Sequence, residues 1–183
     1  RKLFLFFGFS VYLCAIRKCK TVAVYLGYNM TQREIIIHHA SKMFVEQGIK
    51  AVRMDDIAQE LSISKRTLYE LFDDKEELIY QSIYHYSEEA RQRRMKQISN
   101  VENPLEIMVI CLRDMIDGAS VAGRIRRNIR RFYPSVYKRL EECAQSKSMD
   151  DLTRWIANCI ECGYFEKSIN IRFASEVLHH SVH

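Results

Sequence analysis

From residue 31 onward the apolar positions recur at helical spacing, and no segment sustains the alternation of a strand. Thr31-Gln32-Arg33-Glu34 places a hydroxyl three residues ahead of a glutamate, the reciprocal cap of a helix start. Ile36, Ala40, Met43 and Phe44 follow at i, i+4, i+7 and i+8, and Gly48 supplies a stop. A short helix is predicted over 54–61, a tight turn at Ser62-Ile63, and a second short helix over 65–72 with Ser64 as its cap. Asp73-Asp74 opens a long helix from 75 to about 98, with Leu78, Ile79, Ile83 and Tyr86 on its inner face. Pro104 opens another through Met115 that ends near Gly118; further helices cover about 119–132, 135–162 and 170–180, with Pro134 in a first turn. The predicted fold class is all-α.

Two short helices joined by a turn of three or four residues make a helix-turn-helix unit. The packing demands of that unit can be read here. Ala58 is small where the helices cross, Ile63 plugs the turn, and Leu68 and Leu71 face back toward Ile57 and Leu61. With those side chains inward, Lys65, Arg66, Thr67, Tyr69 and Glu70 face outward or flank the core. Such a surface suits a phosphate backbone and the base edges of a major groove.

Composition agrees with long helices: among 183 residues there are only two prolines and six glycines, 48% apolar residues and 28% charged ones. The net charge of +5 does not mark a basic protein, because Arg1, Lys2, Arg17, Lys18 and Lys20 all precede Met30, in a segment without acids. The remaining 23 basic side chains meet 23 acidic ones, so a nucleic-acid interface has to rest on local placement. The six cysteines are too scattered for a disulfide scaffold, which points to a reducing cytoplasm. Residues 1–29 read as an apolar, basic leader foreign to the native chain, with a membrane-associated segment as the alternative. Their apolar run, Leu3 to Ile16, rises only about 21 Å as a helix against a hydrocarbon core of about 30 Å.

Residues 31–80 resemble the N-terminal DNA-binding domain of TetR-family transcriptional regulators. The likeness is carried by IIIHHASKMFVEQGIKAVRMDDIAQELSISKRTLYELFDDKEELI and, more weakly, by YPSVY at 133–137 and GYFEKSINIRFASEVL at 163–178. The resemblance implies residue roles. Lys65, Arg66 and Thr67 meet bases and phosphates, Tyr69 and Lys75 donate to phosphates, and Ser64 caps the recognition helix within reach of a phosphate. Two departures matter. Arg53 stands where a helix-capping threonine is usual, losing that cap and gaining a longer-range phosphate contact. Ser62 replaces the turn glycine, while Arg66 replaces a glycine after the lysine and adds a bidentate reader of guanine.

The second half offers no Ser/His/Asp set, no glycine-rich phosphate loop and no catalytic acid pair, so no enzyme is expected, nor any cofactor or metal. Cys159-Ile160-Glu161-Cys162 is a lone pair read as two small core residues. His38 and His39 read as one solvated and one core-bordering side chain, and His179, His180 and His183 as a chain end. The five arginines of RIRRNIRR at 124–131 crown a solvated face above Ile125, Ile129 and Phe132; a site for an anionic effector is the alternative. Met108, Cys111, Leu112, Met115, Phe132, Tyr133, Tyr137, Trp155 and Tyr164 are core residues, some of them candidates to line an effector cavity of the kind that family uses.

The expected organisation is a leader (1–29), a three-helix DNA-binding domain (30–76) and a helical effector-binding and dimerisation domain (77–183). The last looks C-terminally truncated: relatives of the family pair through two final helices, and one, about 170–180, precedes His183. The expected function is a cytoplasmic, ligand-responsive repressor that binds a palindromic operator in double-stranded DNA as a homodimer, with a small-molecule effector. The rivals are an all-helical interaction protein with a helix-turn-helix remnant and, if residues 1–29 are native, a membrane-tethered regulator.

Overall fold

The computed structural model describes residues 30–182, so the leader and His183 lie outside the described residues. Contacts divide the chain into residues 1–36 and residues 37–183. Within the first unit the helix start is built as predicted. The Thr31 backbone N–H donates to Glu34 Oε2 at 2.7 Å, and the Glu34 N–H donates back to Thr31 Oγ1 at 3.3 Å.

Seven helices make up the described residues: α1 Gln32–Gln47, α2 Met54–Glu60, α3 Lys65–Leu71, α4 Lys75–Ile98, α5 Pro104–Phe132, α6 Pro134–Glu161 and α7 Ile171–Val182. No strand occurs among them. Gly48 ends α1 at φ 94°, a left-handed conformation in which a side chain is strained. Ser64 and Asp74 cap α3 and α4, accepting from the Thr67 and Glu77 N–H groups at 3.0 and 2.8 Å. Asn103 caps α5, whose first residue is Pro104.

One boundary differs from expectation. Gly118 does not stop a helix; α5 runs unbroken through Gly118 and Gly123 to Phe132. A helix-interior glycine costs only about 1 kcal/mol against alanine, and the buried stripe of Met108, Cys111, Ile125 and Ile129 on either side holds the helix together. The break comes at Tyr133 instead. It precedes Pro134, whose ring excludes helical geometry from the residue before it, and Tyr133 sits at φ −141°, ψ 63°.

In the second half, α5 packs along α6, and α6 along α7. Met108, Cys111, Leu152, Trp155, Ile156 and Cys159 form its buried centre, flanked by Leu112, Met115, Phe165 and Leu178. Each fully buried large apolar side chain contributes about 1.5–3 kcal/mol. Residues 37–83 have their own apolar set: Phe44, Ile49, Val52, Ile57, Leu68, Phe72, Leu78 and Ile79 are all 1% exposed or less. That set seats the helix-turn-helix on the start of α4.

Candidate nucleic-acid interface

The geometry of α2 and α3 follows from four apolar residues. Met54, Ile57 and Ala58 of α2 are buried, as is Leu68 of α3. The Ile63 N–H closes the turn onto the Ala58 carbonyl at 2.9 Å. Ser62 takes the left-handed conformation, φ 53°, at the position where a glycine would be free of strain. At the start of α2 the Arg53 N–H donates to Asp56 Oδ2 at 2.7 Å. The guanidinium has no acceptor to return, so the side-chain half of that cap is missing, as the sequence implied.

Burying Leu68 turns the next positions outward. Arg66 is 88% exposed at its side chain and Tyr69 is 45% exposed; Ser64 and Lys65 are exposed and Thr67 is half-buried. The cluster is not a bare cationic patch. Lys65 Nζ lies 2.8 Å from Asp55 Oδ1, a hydrogen bond that raises the lysine pKa above its ordinary value. Arg66 Nε lies 2.8 Å from Glu70 Oε1, one turn further along α3. Ser64 Oγ and Thr67 Oγ1 are 2.8 Å apart, so the capping hydroxyl is locally engaged. Arg53 is exposed on the same unit.

Lys75 stands apart from the others. It is half-buried at the start of α4, where its ammonium donates to the Ile49 carbonyl at 2.9 Å and lies 5.7 Å from the Tyr133 ring centre. That contact ties the α1–α2 connection to α4 and leaves the remaining ammonium protons for another acceptor.

The nine effector candidates separate into three groups. Met108, Cys111, Leu112, Met115 and Trp155 pack together in the α5–α6 core. Burial there pushes the Cys111 thiol up to about 11, so it behaves as an inert apolar group. Phe132, Tyr133 and Tyr137 lie at the α5–α6 junction instead, and Tyr164 is exposed beyond α6. Phe132, expected inside the α5 stripe, is 36% exposed, its ring covered by Lys50 Nζ at 4.6 Å. A cleft of about 190 Å³ lies elsewhere, between the end of α1 and α5, lined by Phe44, Gly48, Arg124 and Asn128 among others. It falls below the range of about 300–1,000 Å³ usual for small-molecule sites, and no effector candidate lines it.

Arg124, Arg127, Arg130 and Arg131 are exposed, as expected of a solvated face, and two of the five arginines are held by the protein itself. Arg126 grips Glu141 with Nε at 2.8 Å and Nη2 at 2.7 Å, and Arg124 donates to the Val45 carbonyl at 2.8 Å. Cys159 is buried but Cys162 is exposed, so the expectation of two core cysteines holds for the first alone; Cys162 falls past the last turn of α6. His38 and His39 are both half-buried, so the pair does not divide into one fully solvated and one core-bordering side chain. Sequence reasoning also missed Asp151, which is buried on α6 and salt-bridged to Arg91 of α4.

Residues 36–81 match the family model described as bacterial regulatory proteins, tetR family. A curated relative, the HTH-type transcriptional regulator HbdR of Aromatoleum sp. (strain CIB), is 29% identical over 75 residues, 41% of this chain. The chain spans about a third of that relative's length. Two solved structures share the fold across most of the molecule. The fatty acid degradation regulator FadR of Bacillus halodurans superposes with a TM-score of 0.65 at 15% identity, covering 85% of this chain and 82% of its own. AibR in complex with isovaleryl coenzyme A and operator DNA gives 0.55 at 16% identity, covering 83% and 84%.

Proposed function

We propose, from the match of residues 36–81 to the tetR family of bacterial regulatory proteins, that the protein is a sequence-specific transcriptional regulator: a cytoplasmic, ligand-responsive repressor that binds a palindromic operator as a homodimer. The observation that carries the reading is the pair Arg66 and Tyr69, exposed on a helix whose other face is anchored by fully buried Leu68. A rigid helix presenting a forked donor and a phenol can enter a major groove, read guanine with the fork and hold a phosphate with the hydroxyl. Ser64, Lys65 and Thr67 add donors at the same edge. Arg53 and Lys75 supply charge on either side.

The dimer has apolar surface available. Phe173 and Val177 lie one turn apart on α7 and are 65% and 47% exposed; Val109 and Ile116, two turns apart on α5, are 44% and 61% exposed. A second copy covering these stripes would form the two-fold dimer that a palindromic operator with half-sites about 34 Å apart requires. AibR, which shares the fold, was solved with an acyl-coenzyme A and operator DNA together. That supports a regulator with an effector site distinct from its DNA-binding surface; an effector that shifted the spacing of the two recognition helices would weaken operator binding. The reading assigns no catalytic role to any residue. Among the described residues no helix is long and apolar enough to cross a membrane.

A second reading, an interaction protein with a helix-turn-helix remnant, draws on one feature: Lys65 and Arg66 are both held by carboxylates. Duplex titrations separate the two. A regulator binds DNA with a steep salt dependence, about 0.9 in log–log slope per phosphate neutralised, while a remnant binds none. With sites first selected from genomic fragments, Arg66→Ala is expected to cost about 1–3 kcal/mol on the selected site and relax its base preference. Tyr69→Phe is expected to weaken selected and random duplexes alike. Equal losses from both variants on both duplexes would remove Arg66 from base reading.

A further inference from the structure

The middle of α4 carries a constellation that DNA binding does not use. His85 and Glu89 are four residues apart, and so project from one face of that helix. Against them α1 brings His38. Its Nδ1 lies 3.4 Å from Glu89 Oε1, and His85 Nδ1 lies 3.9 Å from Glu89 Oε2. The two imidazoles meet edge to face with centroids 5.8 Å apart. One ligating atom from each of the three residues falls within 4.8 Å of the other two.

A second observation concerns His85 itself. Its Nδ1 is shielded from solvent and has no hydrogen-bond partner, and the contact to Glu89 is too long to be one. Buried polar atoms are almost always satisfied, so an orphaned imidazole nitrogen facing a carboxylate and a second imidazole calls for an occupant. Two imidazoles and a carboxylate, with water as a fourth ligand, form a donor set suited to Zn²⁺. Metal–nitrogen bonds near 2.0–2.1 Å place tetrahedral ligand atoms about 3.3 Å apart, so the donors close by about 1.5 Å, within the reach of side-chain rotation. Lys42, whose charge acts on His38, is exposed and able to turn away.

We infer that His38, His85 and Glu89 form a binding site for a divalent transition metal of the zinc class, which clasps the first helix of the DNA-binding unit to α4. The site is separate from the recognition surface and from the apolar core of the second half. Its occupant would fix the angle at which α1 meets α4, because a coordination bond tolerates far less displacement than the present contacts.

The test uses the full chain, titrated with Co²⁺ as the spectroscopic probe and then with Zn²⁺ as competitor. The expected result is one equivalent of Co²⁺ with the visible d–d bands of a tetrahedral nitrogen–oxygen site, displaced by Zn²⁺, and a melting temperature that rises with metal. His85→Ala and Glu89→Gln should each weaken Zn²⁺ binding at least 10-fold, since even the loss of an outer-shell partner costs about 10- to 100-fold. Glu89→Gln keeps the test decisive if His85→Ala fails to fold, because the Glu89 side chain is 34% exposed. The double change His179→Ala with His180→Ala should leave binding intact. Retention of metal by Glu89→Gln overturns the assignment. So does its loss in the His179/His180 variant, a thiolate charge-transfer band, which would place the metal on cysteine, or no saturable Co²⁺ binding.

Discussion

Removing a single carboxylate from the recognition surface should make the protein bind DNA more tightly. Lys65 is held by Asp55 at 2.8 Å, with the two side chains 57% and 60% exposed. In the proposed complex Lys65 must leave that partner before it can meet a phosphate, and the Asp55 charge beside it repels the same phosphate. An exposed pair of this kind shifts an equilibrium by no more than about 5-fold, because hydration competes with it and salt screens it. Asp55→Asn is therefore expected to raise affinity for any duplex by about 2- to 5-fold, with no change in base preference. Fluorescence anisotropy on selected and random duplexes over a range of salt concentrations measures it, with circular dichroism as the control for folding. Lys65→Gln should do the opposite, weakening all sequences and lowering the salt slope by about 0.9 for the lost phosphate. In a Lys65→Gln background, Asp55→Asn should lose most of its effect, since the lysine it released is gone. A folded Asp55→Asn variant that binds DNA more weakly, or a Lys65→Gln variant with an unchanged slope, would refute the placement of Lys65 on a phosphate.

Two further outcomes concern stability. Gly118→Ala should stabilise the protein by about 0.5–1 kcal/mol, because Gly118 is an exposed helix-interior residue with nothing within 4 Å of an added Cβ; a thermal melt in which the variant is less stable would restore a break at that position. Asp151→Asn should destabilise by about 1–3 kcal/mol, because the buried carboxylate accepts from Arg91 Nε at 3.1 Å, from Arg91 Nη2 at 3.2 Å and from Arg154; a urea titration with an unmoved midpoint would show that water already satisfies the two arginines.

The features legible in the sequence were those with a local physical cause. A hydroxyl before a glutamate, Ser64 ahead of α3, Asp74 ahead of α4 and a proline at the first helical position each satisfy backbone groups within a few residues, so pattern alone located those helix starts. The outward face of α3 was legible for the same reason: burying Leu68 fixes where Arg66 and Tyr69 point. Gly118 misled because a glycine's meaning depends on what packs beside it. It terminates a helix when the next residues have nothing to bury, and here Ile125 and Ile129 do. Partners across sequence distance left no trace. Nothing in residues 147–155 announces that Asp151 meets Arg91, sixty positions away, and His38 reads as an ordinary helix residue until α4 brings His85 and Glu89 beside it. The i, i+4 spacing of His85 and Glu89 was the one visible hint of that cluster.

The means by which α4 is held decides which of its halves can respond to an effector. Its buried residues, Leu78, Ile79, Ser82 and Ile83, all fall in its first three turns, against the helix-turn-helix core. Apolar packing is dense and loses energy with every displaced atom, so this half moves with the DNA-binding unit. Beyond residue 84 the attachments become polar. Lys147 donates to Glu88 at 2.6 Å and Tyr84 at 2.9 Å, Arg91 meets Asp151, and Arg94 meets Asp114 at 2.7 Å; Met95 and Ile98 alone reach the second core. Of these, the Lys147–Glu88 pair is partly exposed and can exchange its partner for water at small cost, whereas Asp151 is buried and Arg94 nearly so, which makes their pairs costlier to break. Sliding α5 and α6 past the far half of α4 therefore disturbs a few discrete polar contacts rather than a dense apolar interface, while the near half moves as one piece with the helix-turn-helix. In the proposed regulator an effector accommodated between α5 and α6 would need to shift those polar contacts, together with the Arg139–Glu77 and Ser135–Glu76 bonds that tie α6 to the near half, to tilt the recognition helix.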